Sequence, residues 1–251
     1  MRQLAFGSLL TLAVSLGLTP VVRNLAMRRG IVAAPRGDRW HSRTTALMGG
    51  IAIYCAFLAG FLAYWPSLPG GARLVLAGGT VLFVLGVIDD FISVKPPVKL
   101  VVQLIVAAVV VYFGRKLPWT ASNALNTFIT IFWLVGMTNA VNLLDNMDGL
   151  AAGVAVIVCG FMSLNFTLNG QSTEALLPAL LGGAALGFFF YNISPALIFM
   201  GDCGSMFLGF TLGGMALLST YDRTRHVSTV LVTPVLIMLI PIFDTTIVTI
   251  S

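Results

Sequence analysis

Four short polar stretches interrupt an otherwise apolar chain, and their residue types suit chemistry on phosphates held by a divalent cation. The first is Gly86-Val87-Ile88-Asp89-Asp90, followed by Lys95, Lys99 and Gln103. The second runs Asn139-Ala140-Val141-Asn142-Leu143-Leu144-Asp145-Asn146-Met147-Asp148-Gly149. On a helix, Asn142 and Asp145 share a face at i,i+3, as do Asp145 and Asp148. The third starts at Tyr191-Asn192, passes Pro195 and Phe199, and ends in Gly201-Asp202-Cys203-Gly204-Ser205, where glycines beside an acid permit close backbone approach to a ligand. The fourth, residues 35–50, supplies Arg36, Arg39, His41 and Arg43. Carboxylate and amide oxygens of this kind suit Mg²⁺, which favours octahedral oxygen coordination and shares its sites with substrate phosphates.

Each stretch also has a plain structural reading. Asp148-Gly149 suits a turn or helix cap, Asp89-Asp90 a solvated helix end, Gly201–Ser205 a turn, and Phe199 simple packing. Adjacent acids cannot point the same way on a helix, so one of Asp89 and Asp90 at most faces a given ligand atom. Ser93 stands where a prenyl-synthase aspartate motif needs a third acid. His41 is far in sequence from His226, the other histidine, which argues against a zinc site. Asp244 reads as a polar helix end.

The elements that position these groups follow from composition. With 58% hydrophobic and 9% charged residues in 251, the chain cannot cover a water-facing exterior, for which roughly 25% charged is usual. Apolar runs at Leu4–Val22, Leu47–Trp65, Leu74–Ile88, Leu100–Phe113, Leu125–Thr138, Leu150–Leu168, Ala175–Tyr191, Ser205–Leu218 and Thr229–Phe243 predict about nine membrane-spanning helices, some of them short. The fold class is therefore an all-α polytopic membrane bundle. Leu4–Leu18 lacks a following small-residue cleavage site and reads as a retained first helix. Three cysteines, two of them inside apolar runs, give no disulfide framework.

The 14 Lys and Arg residues fall in gaps between apolar runs, where they set orientation and do not mark a nucleic-acid surface. The loop from Arg23 to Arg43 holds six arginines against the single acid Asp38, which predicts that it is cytoplasmic and the N-terminus outside. Alternation from there brings all four polar stretches, and seven of the nine acids, to the cytoplasmic side.

Taken in this order, the stretches resemble the polyprenyl-phosphate N-acetylhexosamine-1-phosphate transferases. That family includes the peptidoglycan lipid I synthase and the N-acetylglucosamine-transferring enzymes of teichoic acid and O-antigen synthesis. The resemblance covers most of the chain through Pro35-Arg36…Arg39-Trp40-His41…Gly49-Gly50, Val87–Asp90…Lys99-Leu100…Gln103, Asn139–Leu150, and Pro195-Ala196…Phe199–Ser205. It implies an enzyme of the bacterial plasma membrane, active on the cytoplasmic side in cell-envelope polysaccharide synthesis. The reaction moves a sugar 1-phosphate from a UDP-sugar to undecaprenyl phosphate, releases UMP and requires Mg²⁺, with Mn²⁺ as a substitute.

On this resemblance Asp202 and Asn142 are the metal ligands. Asp89 and Asp90 lie by the lipid phosphate, one of them accepting its proton, and Lys99 and Arg43 hold phosphate. Asp145, Asp148, Asn192 and Phe199 line the donor. The Asp145–Gly149 wording favours N-acetylglucosamine as the sugar, with lipid I synthase activity as the alternative. Partners are then the two substrates and membrane lipid, not nucleic acid, and a homodimer is compatible. Relatives continue past the segment resembling Pro241–Thr246 into a histidine-rich loop and further helices, whereas this chain stops at Ser251. The resemblance therefore implies a transferase domain over residues 1–251 that is C-terminally truncated and has impaired or no activity. A transporter is the rival from another class, and it predicts acids at the midplane of spans, not at their ends.

Overall fold

The computed structural model describes residues 2–33 and 44–218, and among these it forms eight α-helices and one two-stranded sheet. In chain order they are α1 (Arg2–Arg28), β1 (Val32–Ala33), β2 (Thr45–Ala46), α2 (Gly50–Ala63), α3 (Ala72–Ile92), α4 (Pro96–Tyr112), α5 (Asn123–Leu144), α6 (Leu150–Leu168), α7 (Ser172–Asn192) and α8 (Gly201–Ala216). The sheet is antiparallel, pairing Val32 with Ala46 and Ala33 with Thr45. The expected ninth span Thr229–Phe243, together with Arg43, His41, His226 and Asp244, lies outside the described residues.

The distribution of side chains is that of a protein solvated by lipid. Phe6, Phe91, Tyr112, Phe128, Phe161 and Leu168 are each more than half exposed, while Thr11, Ser15, Thr19, Gln103, Thr138 and Ser205 are buried. Water would penalise so large an apolar exterior, but hydrocarbon does not. Five helices, α1, α3, α5, α6 and α7, are long and apolar enough to cross a membrane. The 14 residues of α2 and the 17 of α4 form shorter apolar helices. α8 has 16 residues and needs no match to lipid thickness, because Cys203–Ala216 are all buried against its neighbours.

Lipid-soluble helices gain nothing by hiding leucine, so they associate where small residues let backbones approach. The buried stripe of α1 is Gly7, Thr11, Ser15 and Thr19, one residue per turn. It faces α7 at Gly183, where an added Cβ would lie 2.2 Å from the Ser8 carbonyl oxygen. The crossing of α3 and α8 is equally close, since a Cβ on Gly86 would sit 2.4 Å from Cys203 Cα and 2.5 Å from the Asp202 carbonyl oxygen. Both obstacles are backbone and cannot rotate away. Gly86→Ala is therefore expected to lower stability by about 1–3 kcal/mol, read as a lower thermal midpoint in detergent.

Several boundaries differ from the apolar runs, each for a tertiary reason. The run from Leu47 becomes helical only at Gly50, because residues 45–49 bond elsewhere: Ala46 O accepts from Phe199 N at 2.8 Å and Gly49 N donates to Phe199 O at 2.9 Å. α3 continues through Asp89 and Asp90 to Ile92 and stops at Ser93 in the left-handed region, φ 54°. α5 continues to Leu144 and so carries Asn139 and Asn142 on helix, and α8 begins at Gly201, four residues before the predicted start. Polar residues end an apolar run without ending a helix.

Candidate active site

The C-terminal ends of α3 and α5 and the N-terminal ends of α4 and α8 meet at one end of the bundle, and each contributes a polar side chain. Lys99, in the first turn of α4, donates from Nζ to Asp89 Oδ2 at 2.8 Å and to Asp202 Oδ2 at 2.9 Å. Asn142 on α5 donates from Nδ2 to Asp202 Oδ1 at 3.1 Å and to Ser205 Oγ at 2.8 Å. Asp202 is thus held from both sides, by an ammonium and by an amide. The side chains of Lys99, Asp89 and Asp202 keep 22%, 10% and 29% exposure, so a ligand can reach the group from the surface.

Asp89 and Asp90 divide as adjacent helical residues must. Asp89 turns to Lys99 and also accepts from the Val94 amide. Asp90 turns to α8, its Oδ1 accepting from the Asp202 amide at 2.8 Å and its Oδ2 from the Cys203 amide at 3.2 Å. A carboxylate there satisfies N–H groups that have no partner within their own helix and meets the positive end of its dipole. This explains why α8 starts at Gly201, whose φ of +77° and closeness to Asp90 leave no room for a side chain. Asp90 is accordingly a helix-capping group in this structure, with both oxygens engaged.

Asp145 caps the end of α5 and accepts from the Gly201 amide. Burial pushes its carboxyl well above the usual range, and the nearby charges of Asp202 and Asp90 push it further. Asp148 Oδ2 accepts from the Ala196 amide at 3.0 Å, tying the α5–α6 turn to the loop before α8. Asn192, read from sequence as lining the donor, is 2% exposed, with Oδ1 accepting from Gly149 N at 3.1 Å and Nδ2 donating to Ile198 O at 2.9 Å. It braces that same turn and loop and presents no free face to a ligand. Phe199 is part-buried, and its backbone joins the loop at 44–49 to the approach to α8. Arg43 lies outside the described residues.

The sequence reading gave no separate role to Ser205, which is fully buried and supports Asn142. Its spacing of three from Asp202 on a helix carried that signal. At the same end of the bundle, Arg23 Nε donates to Leu197 O at 3.2 Å, bringing part of the arginine-rich segment beside the acidic stretches.

Five carboxylates gather here, and among the described residues Lys99 ion-pairs with two of them, Asp89 and Asp202. A cluster of that sign repels phosphate unless a further cation joins it. Among the described residues no three acidic, histidine or cysteine side chains form a ready-made metal cage. A cation would instead take Asp202 and, after rotation of its near-isosteric amide, the Asn142 oxygen, leaving other positions to water and phosphate. That donor set fits Mg²⁺, which is commonly held by one or two carboxylates plus substrate oxygens.

The glycosyl transferase family 4 profile matches residues 72–220. A probable undecaprenyl-phosphate N-acetylglucosaminyl 1-phosphate transferase of Bacillus subtilis (strain 168) is 36% identical over 95% of this chain and 68% of its own length. The decaprenyl-phosphate N-acetylglucosaminephosphotransferase of Mycolicibacterium smegmatis is 32% identical over 85% of the chain and 59% of its own length. A phospho-N-acetylmuramoyl-pentapeptide-transferase of Streptomyces griseus is 31% identical over 87% of the chain and 77% of its own length.

Proposed function

The chain belongs to glycosyl transferase family 4, and from that premise we propose that it transfers N-acetylglucosamine 1-phosphate from the UDP-sugar to undecaprenyl phosphate. The observation that carries the reading is the Asp89–Lys99–Asp202–Asn142 chain of contacts, which puts one ammonium and a candidate metal-binding pair side by side. We place it in the bacterial plasma membrane with about nine spans, the N-terminus outside and the acidic end of the bundle in the cytoplasm, where UDP-sugars are found. Arg23, Arg28 and Arg29 at the end of α1 support that orientation.

In the proposed reaction an oxygen of the lipid phosphate bonds to the β-phosphorus of the donor. The bond from that phosphorus to the bridging oxygen breaks, and UMP departs with that oxygen. Two anions must be brought together in line, so catalysis rests on charge neutralisation and positioning. Lys99 acts as a point charge against phosphate, and its bond to Asp89 keeps that carboxylate at the same place. Asp89 positions the lipid phosphate or takes its proton, while Asp90 fixes the start of α8 and hence Asp202. Bound between Asp202 and Asn142, Mg²⁺ would neutralise the donor diphosphate and the charge that develops on the leaving oxygen.

Membranes expressing the full-length gene test the donor. Radiolabel from UDP-N-acetylglucosamine is expected in undecaprenyl lipid with Mg²⁺ and at background with EDTA. Labelling from UDP-MurNAc-pentapeptide instead would transfer the reading to the lipid I branch of the relatives.

A further inference from the structure

One turn along the same three helices from Lys99, Asn142 and Asp202 lies a second set of contacts, with Gln103 buried and Asn139 exposed. Gln103 follows Lys99 by one turn on α4, Asn139 precedes Asn142 by one turn on α5, and Met206 follows Asp202 by one turn on α8. Asn139 Nδ2 donates to Gln103 Oε1 at 2.6 Å, and Gln103 Nε2 donates back to Asn139 Oδ1 at 3.4 Å. The same Nε2 reaches Met206 Sδ at 3.8 Å, and Asn139 Nδ2 also meets its own helix at Val135 O, 2.8 Å. Gln103 is 2% exposed.

We propose that Gln103 and Asn139 are positioning residues, a paired-amide clamp that sets the α4–α5 spacing and thereby holds Lys99 and Asn142 on opposite sides of Asp202. This rests on the reading of the site above. α4 is a 17-residue helix whose outward face, Leu100, Val101, Leu104 and Ile105, is exposed and interchangeable with lipid. Apolar contact with lipid does not fix its register, whereas a two-bond amide pair does, because each amide satisfies the other only at one separation and rotation. One turn of rigid helix carries that registration directly to Lys99 and to Asn142. An error of about 1 Å at such a site costs about a hundredfold in rate.

The test uses Gln103→Leu, Asn139→Leu, the double leucine variant, and the exchange Gln103→Asn with Asn139→Gln, in membranes with wild type alongside. Each single leucine variant is expected to lower kcat about ten- to a hundredfold with little change in donor KM. The double leucine variant should be no worse than either single one, since a single interaction is lost, and the exchange variant should recover much of the rate. Reductive methylation read by mass spectrometry supplies a signal independent of turnover. The chain has three lysines, and Lys99, held by two carboxylates, should label slowly beside Lys95 in wild type and faster in Gln103→Leu. Wild type that makes no lipid product would refute the reaction and leave the labelling result to judge the clamp. Unchanged kcat and unchanged Lys99 labelling in both single variants, or losses that multiply in the double variant with no recovery on exchange, would overturn the clamp.

Discussion

Asp202→Asn is expected to reduce lipid-linked product by about a thousandfold while leaving the fold intact. The two effects separate because Asp202 plays two roles with different atoms. Its amide is held by Asp90 Oδ1 at 2.8 Å, and that contact survives the substitution. Its carboxylate, the contact of Lys99 Nζ and Asn142 Nδ2, does not. Asparagine keeps the volume, so α8 still starts at Gly201 and the thermal midpoint should move little. What disappears is the anionic oxygen that Lys99 meets and that, on the proposed reading, would hold the cation. A loss of activity accompanied by collapse of the thermal transition would mean instead that the carboxylate holds the bundle together.

The second large effect is expected from Lys99→Met, which removes the ammonium and keeps the apolar stem. Asp89 and Asp202 then face each other without their shared partner. Removing one partner of a fully buried pair typically costs about 3–5 kcal/mol. Here solvent reaches Lys99 and Asp202, at 22% and 29% exposure, so the expected cost is about 1–2 kcal/mol. Transfer should fall about a hundredfold or more. The distinguishing signal is a change in the response to divalent cation. On the proposed reading Mg²⁺ would bind these same carboxylates and supply counter-charge in place of Lys99, so it should raise the thermal midpoint of Lys99→Met more than that of wild type. Equal shifts would show that cation and lysine do not share the same carboxylates. Lys99→Arg is not a conservative rescue, because a planar fork cannot replace a point charge aimed at two oxygens.

Much of this was legible in the chain itself, for reasons particular residues make plain. The bounds of α6, Leu150–Leu168, are those of an apolar run, since Gly149 at φ +73° starts the helix and Asn169 ends it. The family was readable because the stretches that hold Asp89, Asn142 and Asp202 resemble its motifs in the same order, and the structure brings those three side chains together through Lys99 and Asp202. Less legible was anything created by one helix meeting another. Gly201–Ser205 reads as a turn by composition, yet a carboxylate from α3 caps it and makes it the first turn of α8. Asn192, expected to line the donor, is buried, because its partners are backbone groups 43 and 6 residues away. The pairing of Gln103 with Asn139 spans 36 residues and follows from no local pattern.

The most direct measurement of the central claim follows the β-phosphorus. With UDP-N-acetylglucosamine carrying ³²P at that position, label is expected to enter undecaprenyl lipid, with one UMP per lipid product, and both are expected to cease with EDTA and with Asp202→Asn. Release of labelled UDP with sugar alone reaching the lipid, or label transfer that persists in EDTA and in Asp202→Asn, would contradict it.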